Sequence, residues 1–311
     1  MSSRLMIQDA VREQEKARIF IDGVSGSGKT RLSISIASFL SDGGLFGVID
    51  TENRSARKFS GLPPIWGGEP IVPPFFKVVE IGPPFAPERF IEAYDLLVTS
   101  GSKAIVIDSA THEWSGIGGV LDIVDQAKSK YGGNQHYAWA EGTPRHNQFL
   151  ERCVLRNPVH TVVAARQKGI YAEEKDSSGK TRIKKIGTAP VTREMFEFEF
   201  DVQIDLELSH NLCVTKSRIP PIDGRYCRVP QETLSMLIDM KEWLDGGAPP
   251  SSPRVSDSDL RALAEFAKQR NKVPADVVAL VAGEPWRKGV LELTLAELEE
   301  VKAALTIGGG E

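Results

Sequence analysis

The chain has 311 residues, of which 41% are hydrophobic and 26% charged, a balance typical of a soluble globular protein. Its formal net charge of −4 excludes DNA binding driven by global charge, so such binding would need a local basic patch. No apolar run approaches the ~20 residues of a membrane span, and the polar residues 1–18 do not resemble a signal peptide. We therefore expect a cytoplasmic protein with reduced cysteines and no membrane contact.

A glycine-rich loop between a strand and a helix is the first chemical feature in chain order. The apolar run at 17–23 predicts a buried strand, and the run at 30–40 predicts a helix. Between them GVSGSGKT matches the G-x-x-x-x-G-K-[ST] pattern, whose backbone N–H groups surround phosphates at a helix N-terminus. Lys29 would contact the β- and γ-phosphates of ATP, and Thr30 would hold Mg²⁺. The predicted ATP-binding residues are Gly23, Val24, Ser25, Gly26, Ser27, Gly28, Lys29, Thr30 and Arg31.

Further strand-like runs follow along the chain, and helical stretches separate several of them. The early runs are continuously apolar, as in strands buried on both faces of a parallel sheet. The last two alternate more and predict an antiparallel extension, while 87–101 and 146–156 have helical spacing. This alternation predicts an α/β fold with a mainly parallel central sheet. The runs occupy 45–51, 75–81, 103–109, 159–166, 200–208 and 212–218.

The composition changes near residue 246. A stretch rich in Gly, Pro and Ser predicts a linker at 246–256. Amphipathic helical patterns beyond it predict a small helical C-terminal module at 257–311. Ahead of the linker we expect an N-terminal lead at 1–16 and a nucleotide-binding core at 17–245. The module would serve folding or partner docking, or alternatively contact DNA or a single-strand-binding protein.

Hydrolysis of a nucleotide also requires carboxylates near the phosphates. The apolar run before Asp108 predicts that this residue ends a buried strand and supports the Mg²⁺. Many P-loop ATPases have a Glu next, which polarises the attacking water, but here the residue is Ser109. Glu52 follows another predicted strand and can reach the same phosphates, because parallel strands end at one edge of a sheet. Asp50 and Glu113 are the alternatives to Glu52 for this role.

The order of these segments resembles the core of the RecA recombinases. They are GVSGSGKT, GVIDTEN, a helix, AIVIDS, VVAARQK and VTKSRIP. The resemblance implies that Glu52 activates water and that Arg166 or Gln167 senses the γ-phosphate. It also implies that Lys216 and Arg218 reach the ATP of a neighbouring subunit, and therefore a homo-oligomer with ATP at its interfaces.

A closer resemblance, over about residues 5 to 225, is to phage-encoded RecA-like nucleotide-binding proteins. It rests on IDTENRSA, IDSATHEW, WAEGTPRHN and EFEFDV, at 49–56, 107–114, 139–147 and 197–202. This resemblance implies an Mg²⁺-dependent ATPase, stimulated by DNA, that acts in recombination or strand annealing beside a single-strand-binding protein. Its location would be the cytoplasm of a bacterial host. Two other classes share the loop: small-molecule kinases and non-catalytic nucleotide switches or scaffolds.

A local basic segment is the first candidate for DNA binding. The segment 168–187 predicts a β-hairpin around the turn DSSG, with a basic second strand. Such a run suits the phosphate backbone of single-stranded DNA despite the acidic total. The loop 112–119 is the second candidate, and Trp114 or Tyr171 would stack on an unpaired base. The basic residues of the hairpin are Lys180, Arg182, Lys184 and Lys185.

Overall fold

The computed structural model describes residues 9–72, 75–175 and 181–249, together with Glu265 and Lys268; at 172–175 and 181–186 it describes the backbone alone. Contacts divide the chain into two units. Residues 15–246 form one, and 1–14 with 247–311 form the other. In the second unit Glu13 and Ala248 form a parallel bridge, and Glu265 and Lys268 are helical. The rest of the predicted C-terminal module, the turn DSSG and Lys180 lie outside the described residues.

The first unit is built on a mostly parallel sheet. Its strand order is β3-β2-β4-β5-β1-β7-β8-β9, and β6 pairs with the far part of β5. Pairs among β1 to β5 and between β1 and β7 are parallel, whereas β7–β8, β8–β9 and β5–β6 are antiparallel. The strands are β1 Arg18–Gly23, β2 Phe46–Asp50, β3 Phe76–Glu80, β4 Ala104–Asp108, β5 His160–Lys175, β6 Thr181–Pro190, β7 Val202–Leu206, β8 Leu212–Ser217 and β9 Tyr226–Cys227.

Helices cover both faces of this sheet because alternate strand residues supply two apolar layers. Ile19 and Ile21 of β1 belong to the layer that includes α1, while Phe20 belongs to the layer that includes α2 and α5. Both layers are buried, and each buried side chain of this size contributes about 1.5–3 kcal/mol. The α-helices are α1 Lys29–Leu40, α2 Pro87–Thr99, α3 Ala110–Ser115, α4 Val120–Ala127, α5 Gln135–Leu150 and α6 Thr233–Asp245.

The register of the parallel strands gathers their carboxyl ends at one edge. Gly23 at the end of β1 pairs with Arg166 of β5, and Asp50 at the end of β2 pairs with Asp108 of β4. The segments that follow β1, β2 and β4 therefore leave the sheet at the same edge. Ligands of open parallel sheets bind at this edge.

The predicted α/β fold class, with a mainly parallel sheet and an antiparallel extension, is confirmed. Each of the seven strand-like runs contains a strand. The stretch predicted as helical at 146–156 is helical as far as Leu155, because α5 continues into a π-helical turn at Glu151–Leu155. The helix begins earlier than predicted, at Gln135, where the Asn134 side chain accepts hydrogen bonds from two backbone N–H groups. Within the residues that the structure describes, no helix has the length and apolarity needed to cross a bilayer.

Candidate nucleotide-binding site

The loop between β1 and α1 has the backbone shape of a phosphate cradle. Gly26 and Gly28 adopt positive φ angles of 86° and 100°, which side-chain-bearing residues rarely adopt. Gly28 caps α1 without a side-chain hydrogen bond, and the first turn of the helix has no acidic residue. The first N–H groups of α1 lack intrahelical acceptors, as at any helix start, and they carry the positive end of the helix dipole. An anion is therefore favoured at this position.

Lys29 is the first residue of α1, and its ammonium group folds over the loop. Its Nζ donates to the backbone oxygens of Gly23 at 2.8 Å and Val24 at 2.9 Å. Burial lowers the pKa of Lys29, against the opposing charge of Asp108. Both of these hydrogen bonds from the buried ammonium go to neutral carbonyl groups, so charged phosphate oxygens would be strong competitors for them.

Thr30 and Asp108 face each other beside the loop. The Thr30 hydroxyl donates to Asp108 Oδ2 at 2.5 Å. Burial raises the pKa of Asp108 to about 6, although the hydrogen bond from Thr30 counteracts this, and the nearby charge of Glu52 adds to the increase. A bound divalent cation would relieve this unfavourable burial of a carboxylate, so the pair fits a metal ligand role.

These residues fit Mg²⁺ and a nucleotide by the chemistry of the donor set. A hydroxyl and a carboxylate are the oxygen ligands that Mg²⁺ prefers, and phosphate oxygens and water usually complete its coordination. No cluster of three or more His, Cys, Asp or Glu side chains in the described ranges could hold a metal ion by itself. Thr30 and Asp108 would therefore hold Mg²⁺ together with the phosphates, and bound Mg²⁺ would neutralise phosphate charge.

Glu52 lies two residues beyond β2 and points to the same place. Its carboxylate pairs with the Arg166 guanidinium: Nε donates to Oε1 at 2.8 Å, and Nη2 donates to Oε2. The Ser109 hydroxyl also donates to Oε1, at 3.3 Å. Burial alone would raise the pKa of Glu52, but the hydrogen bonds and charge of Arg166 outweigh it and lower the pKa.

One cavity of about 270 Å³ joins these groups. The structure thus brings residues of the predicted loop, the predicted metal ligands, Glu52 and one of the two candidate phosphate sensors to one site. Ser55 and Phe59, which the sequence did not single out, also line it. The other lining residues are Ser25, Gly26, Gly28, Lys29, Thr30, Arg31, Glu52, Asp108 and Arg166.

The two candidates for phosphate sensing lie differently. Arg166 lines the cavity, whereas the side-chain amide of Gln167 donates to Asp205 at 2.9 Å and to Asp22 at 3.1 Å. Successive strand residues point to opposite faces, which separates the two neighbours. Of these two candidates, Arg166 is the one in a position to meet a phosphate in this cavity.

The alternatives to Glu52 have other partners. Asp50 accepts hydrogen bonds from the backbone N–H groups of Glu52 and Ala56, at 2.7 and 2.8 Å. Glu113 is 1% exposed and lies 3.1 Å from His146 Nδ1, which is itself buried. Burial raises the pKa of Glu113. Neither carboxylate lines the 270 Å³ cavity.

Lys216 and Arg218 also lie away from this cavity. The Lys216 ammonium donates to the backbone oxygens of Phe198 at 2.8 Å and Phe200 at 3.0 Å. Arg218 contacts Asp201 at 3.3 Å. Their action on the ATP of a neighbouring subunit stays a prediction, and it would require Lys216 to exchange these contacts.

A second cavity, of about 320 Å³, opens on the β7 side of α1 and shares Gly28 and Arg31 with the first. Its walls are mainly aliphatic. His210, which has a φ of 66°, reaches it from the β7–β8 turn and lies 2.7 Å through Nδ1 from the backbone oxygen of Ser27. The sequence did not reveal this contact, because 183 positions separate the two residues. The remaining lining residues are Ser27, Leu32, Ile65, Leu206, Val229 and Pro230.

The predicted basic hairpin falls on the far part of β5 and on β6. These strands pair antiparallel, with Arg182 opposite Glu174, Lys184 opposite Ala172 and Lys185 opposite Tyr171. The side chain of Tyr171 is exposed. The structure gives only the backbone positions of the three basic residues.

The fold and the site together define a P-loop nucleotide-binding protein of the α/β class. Residues 15–226 match the model of a protein family described as an AAA domain, and the chain belongs to this family. A search of curated proteins found no match. Among solved structures, the chain is similar to a KaiC-like protein from the archaeon Pyrococcus horikoshii OT3, at 13% identity and a TM-score of 0.34. That alignment covers 64% of this chain and 78% of the archaeal one.

Proposed function

We propose that this protein is an Mg²⁺-dependent ATPase in which Glu52 activates the attacking water. The observation that carries the proposal is the convergence of Lys29, the Thr30–Asp108 pair and Glu52 on one cavity. Membership of the AAA domain family supports nucleotide binding at the loop. Glu52 supplies the carboxylate that Ser109, at the usual position after the strand, cannot supply.

Each group has a separate role in this proposal. Lys29 and the N-terminus of α1 bind the phosphates, while Thr30 and Asp108 hold Mg²⁺. Glu52 accepts a proton from water as the water oxygen bonds to the γ-phosphorus. The bond from that phosphorus to the β–γ bridging oxygen breaks, and the products are ADP and inorganic phosphate.

Glu52→Gln tests this assignment, with Glu92→Gln on the exposed surface of α2 as the matched control. Release of phosphate should fall by roughly 10²-fold or more in Glu52→Gln, with ATP still bound, as for loss of a general base. Glu92→Gln should behave like the wild type. Phosphate transfer to a small acceptor would instead indicate a kinase. ATP binding without turnover in the wild type would indicate a switch or scaffold.

The base and ribose of the nucleotide would occupy the second cavity. It adjoins the start of α1 at Gly28 and Arg31, and its aliphatic walls suit the faces of a purine. Val229→Asp, which adds a charge to one wall, should weaken ATP binding but leave inorganic triphosphate binding unchanged. Equal weakening of both ligands would place the base elsewhere.

DNA is the proposed partner, preferably single-stranded, in phage-type recombination or strand annealing. The support is the basic sequence of β6, at Arg182, Lys184 and Lys185, and the resemblance to phage-encoded RecA-like proteins. A homo-oligomer and a single-strand-binding protein are further proposed partners. ATP turnover measured with and without single-stranded DNA, beside a mobility shift, is the test. No shift and no stimulation would remove DNA from the proposal.

A further inference from the structure

Arg166 and Glu52 both line the cavity outside the phosphate loop, and they are paired with each other. Arg166 ends the part of β5 that lies in the parallel sheet, and Glu52 follows β2; β4 lies between these strands. The guanidinium bridges that gap and donates to both carboxylate oxygens. This fork-to-fork arrangement is the strongest form of a guanidinium–carboxylate contact.

Neither member of the pair is ready for chemistry in this arrangement. A carboxylate whose two oxygens both accept hydrogen bonds from a cation is a weak base, and the lowered pKa of Glu52 expresses this. The two Arg166 donors that Glu52 holds are unavailable to a phosphate. Both side chains nevertheless line the cavity with Lys29, so a ligand there contacts them directly.

Phosphate and carboxylate compete for a guanidinium on similar terms, because both accept two parallel hydrogen bonds. A diphosphate seated on the loop would use Lys29 and the N-terminus of α1. A third phosphate would extend toward Asp108, Glu52 and Arg166. These three residues line the same cavity beyond the loop, together with Ser55 and Phe59. Only the third phosphate would then meet Arg166.

We infer that the Arg166–Glu52 pair is the resting state of the site, and that the γ-phosphate takes Arg166 away from Glu52 and thereby frees the base. The inference rests on the proposed binding of a nucleoside triphosphate at this cavity. Arg166 is thus a phosphate-contacting residue in the triphosphate state and a restraint on Glu52 in its absence. The exchange ties activation of water to the presence of the phosphate that is to be cleaved.

The need to separate the pair lowers the apparent affinity for a triphosphate. Only the fraction of molecules in which Arg166 is free of Glu52 can make every contact with the γ-phosphate. Removal of the Glu52 carboxylate should abolish this loss. A simple repulsion between Glu52 and the phosphates predicts the same direction, so the Glu52 effect must be measured with and without Arg166.

The experiment is equilibrium binding of ADP and of a non-hydrolysable ATP analogue, each with Mg²⁺. The variants are Glu52→Ala, Glu52→Gln, Arg166→Ala and the double variant Glu52→Ala/Arg166→Ala. Arg57→Ala, which removes an exposed guanidinium paired with Glu80, is the matched control. Thermal melting establishes that each variant is folded. If Glu52→Ala does not fold, Glu52→Gln replaces it in the comparison.

Glu52→Ala should bind the triphosphate analogue about 10-fold more tightly, with ADP affinity changed less than about 2-fold. Arg166→Ala should weaken binding of the analogue, so that its affinity approaches that of ADP. In the Arg166→Ala background, Glu52→Ala should not change the affinity for the analogue further. Equal tightening in both backgrounds would indicate simple repulsion and overturn the inference, as would no tightening or an equal effect on ADP. Failure of the wild type to bind either nucleotide would instead overturn the proposed function.

Discussion

Asp50 holds the backbone of Glu52 in place. One oxygen of the buried Asp50 carboxylate accepts a hydrogen bond from the Glu52 N–H at 2.7 Å, and the other accepts from Ala56 at 2.8 Å. Between them Asn53 and Arg54 adopt left-handed φ angles of 51° and 65°. Such backbone is costly for residues with side chains, so it persists only where its surroundings determine it. Asp50 is therefore a positioning residue for Glu52.

Asp50→Ala should lower the rate of ATP hydrolysis by about 10-fold or more, because a small displacement of a base slows proton transfer severely. The affinity for nucleotide should hardly change, since Asp50 does not line the cavity. Loss of the two hydrogen bonds should also lower the free energy of unfolding by about 1–3 kcal/mol. Asp50→Asn retains one acceptor oxygen and should recover part of the rate. An unchanged rate in folded Asp50→Ala would show that Glu52 is positioned without it.

Lys29→Ala should abolish ATP turnover and weaken nucleotide binding, because the cavity loses the cation of the phosphate loop. Lys77→Ala is the matched control, since Lys77 is exposed on the edge strand β3. Phosphate release and nucleotide titration measure the two effects. Turnover at the wild-type rate in Lys29→Ala would contradict the assignment of the site.

Asp22 provides a test of stability against pH. Burial raises its pKa to about 6, although a hydrogen bond from Gln167 counteracts this; the nearby charge of Asp205 adds to the increase. Between about pH 4 and about pH 6, folded Asp22 keeps a proton that the unfolded chain has lost. Its burial therefore costs stability progressively as the pH rises through this window, and the full cost applies above the folded pKa.

Asp22→Asn removes the titrating group and keeps an oxygen that can accept from Gln167. Its free energy of unfolding relative to the wild type should thus increase from pH 4 to pH 7, by about 1–3 kcal/mol. Denaturant unfolding at several pH values is the measurement, and the comparison cancels the titration of Asp108. A constant difference across this range would show that Asp22 loses its proton at the same pH in the folded and unfolded chains, and so that burial does not raise its pKa.

How much the sequence could predict depends on whether the relevant contact is local. Glu52 and Asp108 could be placed at one site because parallel strands end at one edge, and the short apolar runs identify those strands. The choice between Arg166 and Gln167 could not be made. It requires knowing which face of β5 the phosphate loop lies on, and an apolar run buried on both faces carries no such signal.

Contacts between distant segments explain the remaining differences. The buried Glu113 carboxylate is paired with His146, which lies 33 positions away on α5. Lys216 is held by the turn at 196–200, which only the fold brings next to β8. The sequence around each of these residues does not indicate its partner, because the partner is distant in the chain. Only the structure reveals these contacts.

Lys216→Ala and Arg218→Ala should lower turnover only in assembled protein, if these groups act on a neighbour's ATP. Each variant is mixed with Glu52→Gln, which is inactive in its own site but supplies intact Lys216 and Arg218 to the next. Turnover should then exceed the sum of the separate proteins, because mixed interfaces contain one complete site. No gain at any mixing ratio, with mixed assembly shown by cross-linking, would count against action in trans.

The basic strand β6 carries the last prediction. The two-residue period of a strand predicts from the sequence that Lys180, Arg182 and Lys184 share one face. Like charges spaced about 7 Å apart repel each other unless an anion lies opposite, and a DNA backbone supplies a matching row of charges. We therefore expect the triple variant Lys180→Ala/Arg182→Ala/Lys184→Ala to bind single-stranded DNA more weakly.

The salt dependence of binding separates this role from a general effect of charge. The triple variant should have a slope smaller by about two units, at about 0.7 per phosphate contact on a single strand. Lys58→Ala/Lys77→Ala/Lys103→Ala, which removes three exposed lysines outside the hairpin, changes the net charge equally and should keep the wild-type slope. ATP turnover without DNA should be unchanged in both variants, whereas stimulation by DNA should fall in the first. If both triple variants bind with the same affinity and slope, the DNA site lies elsewhere, and the loop 112–119 is the next segment to test.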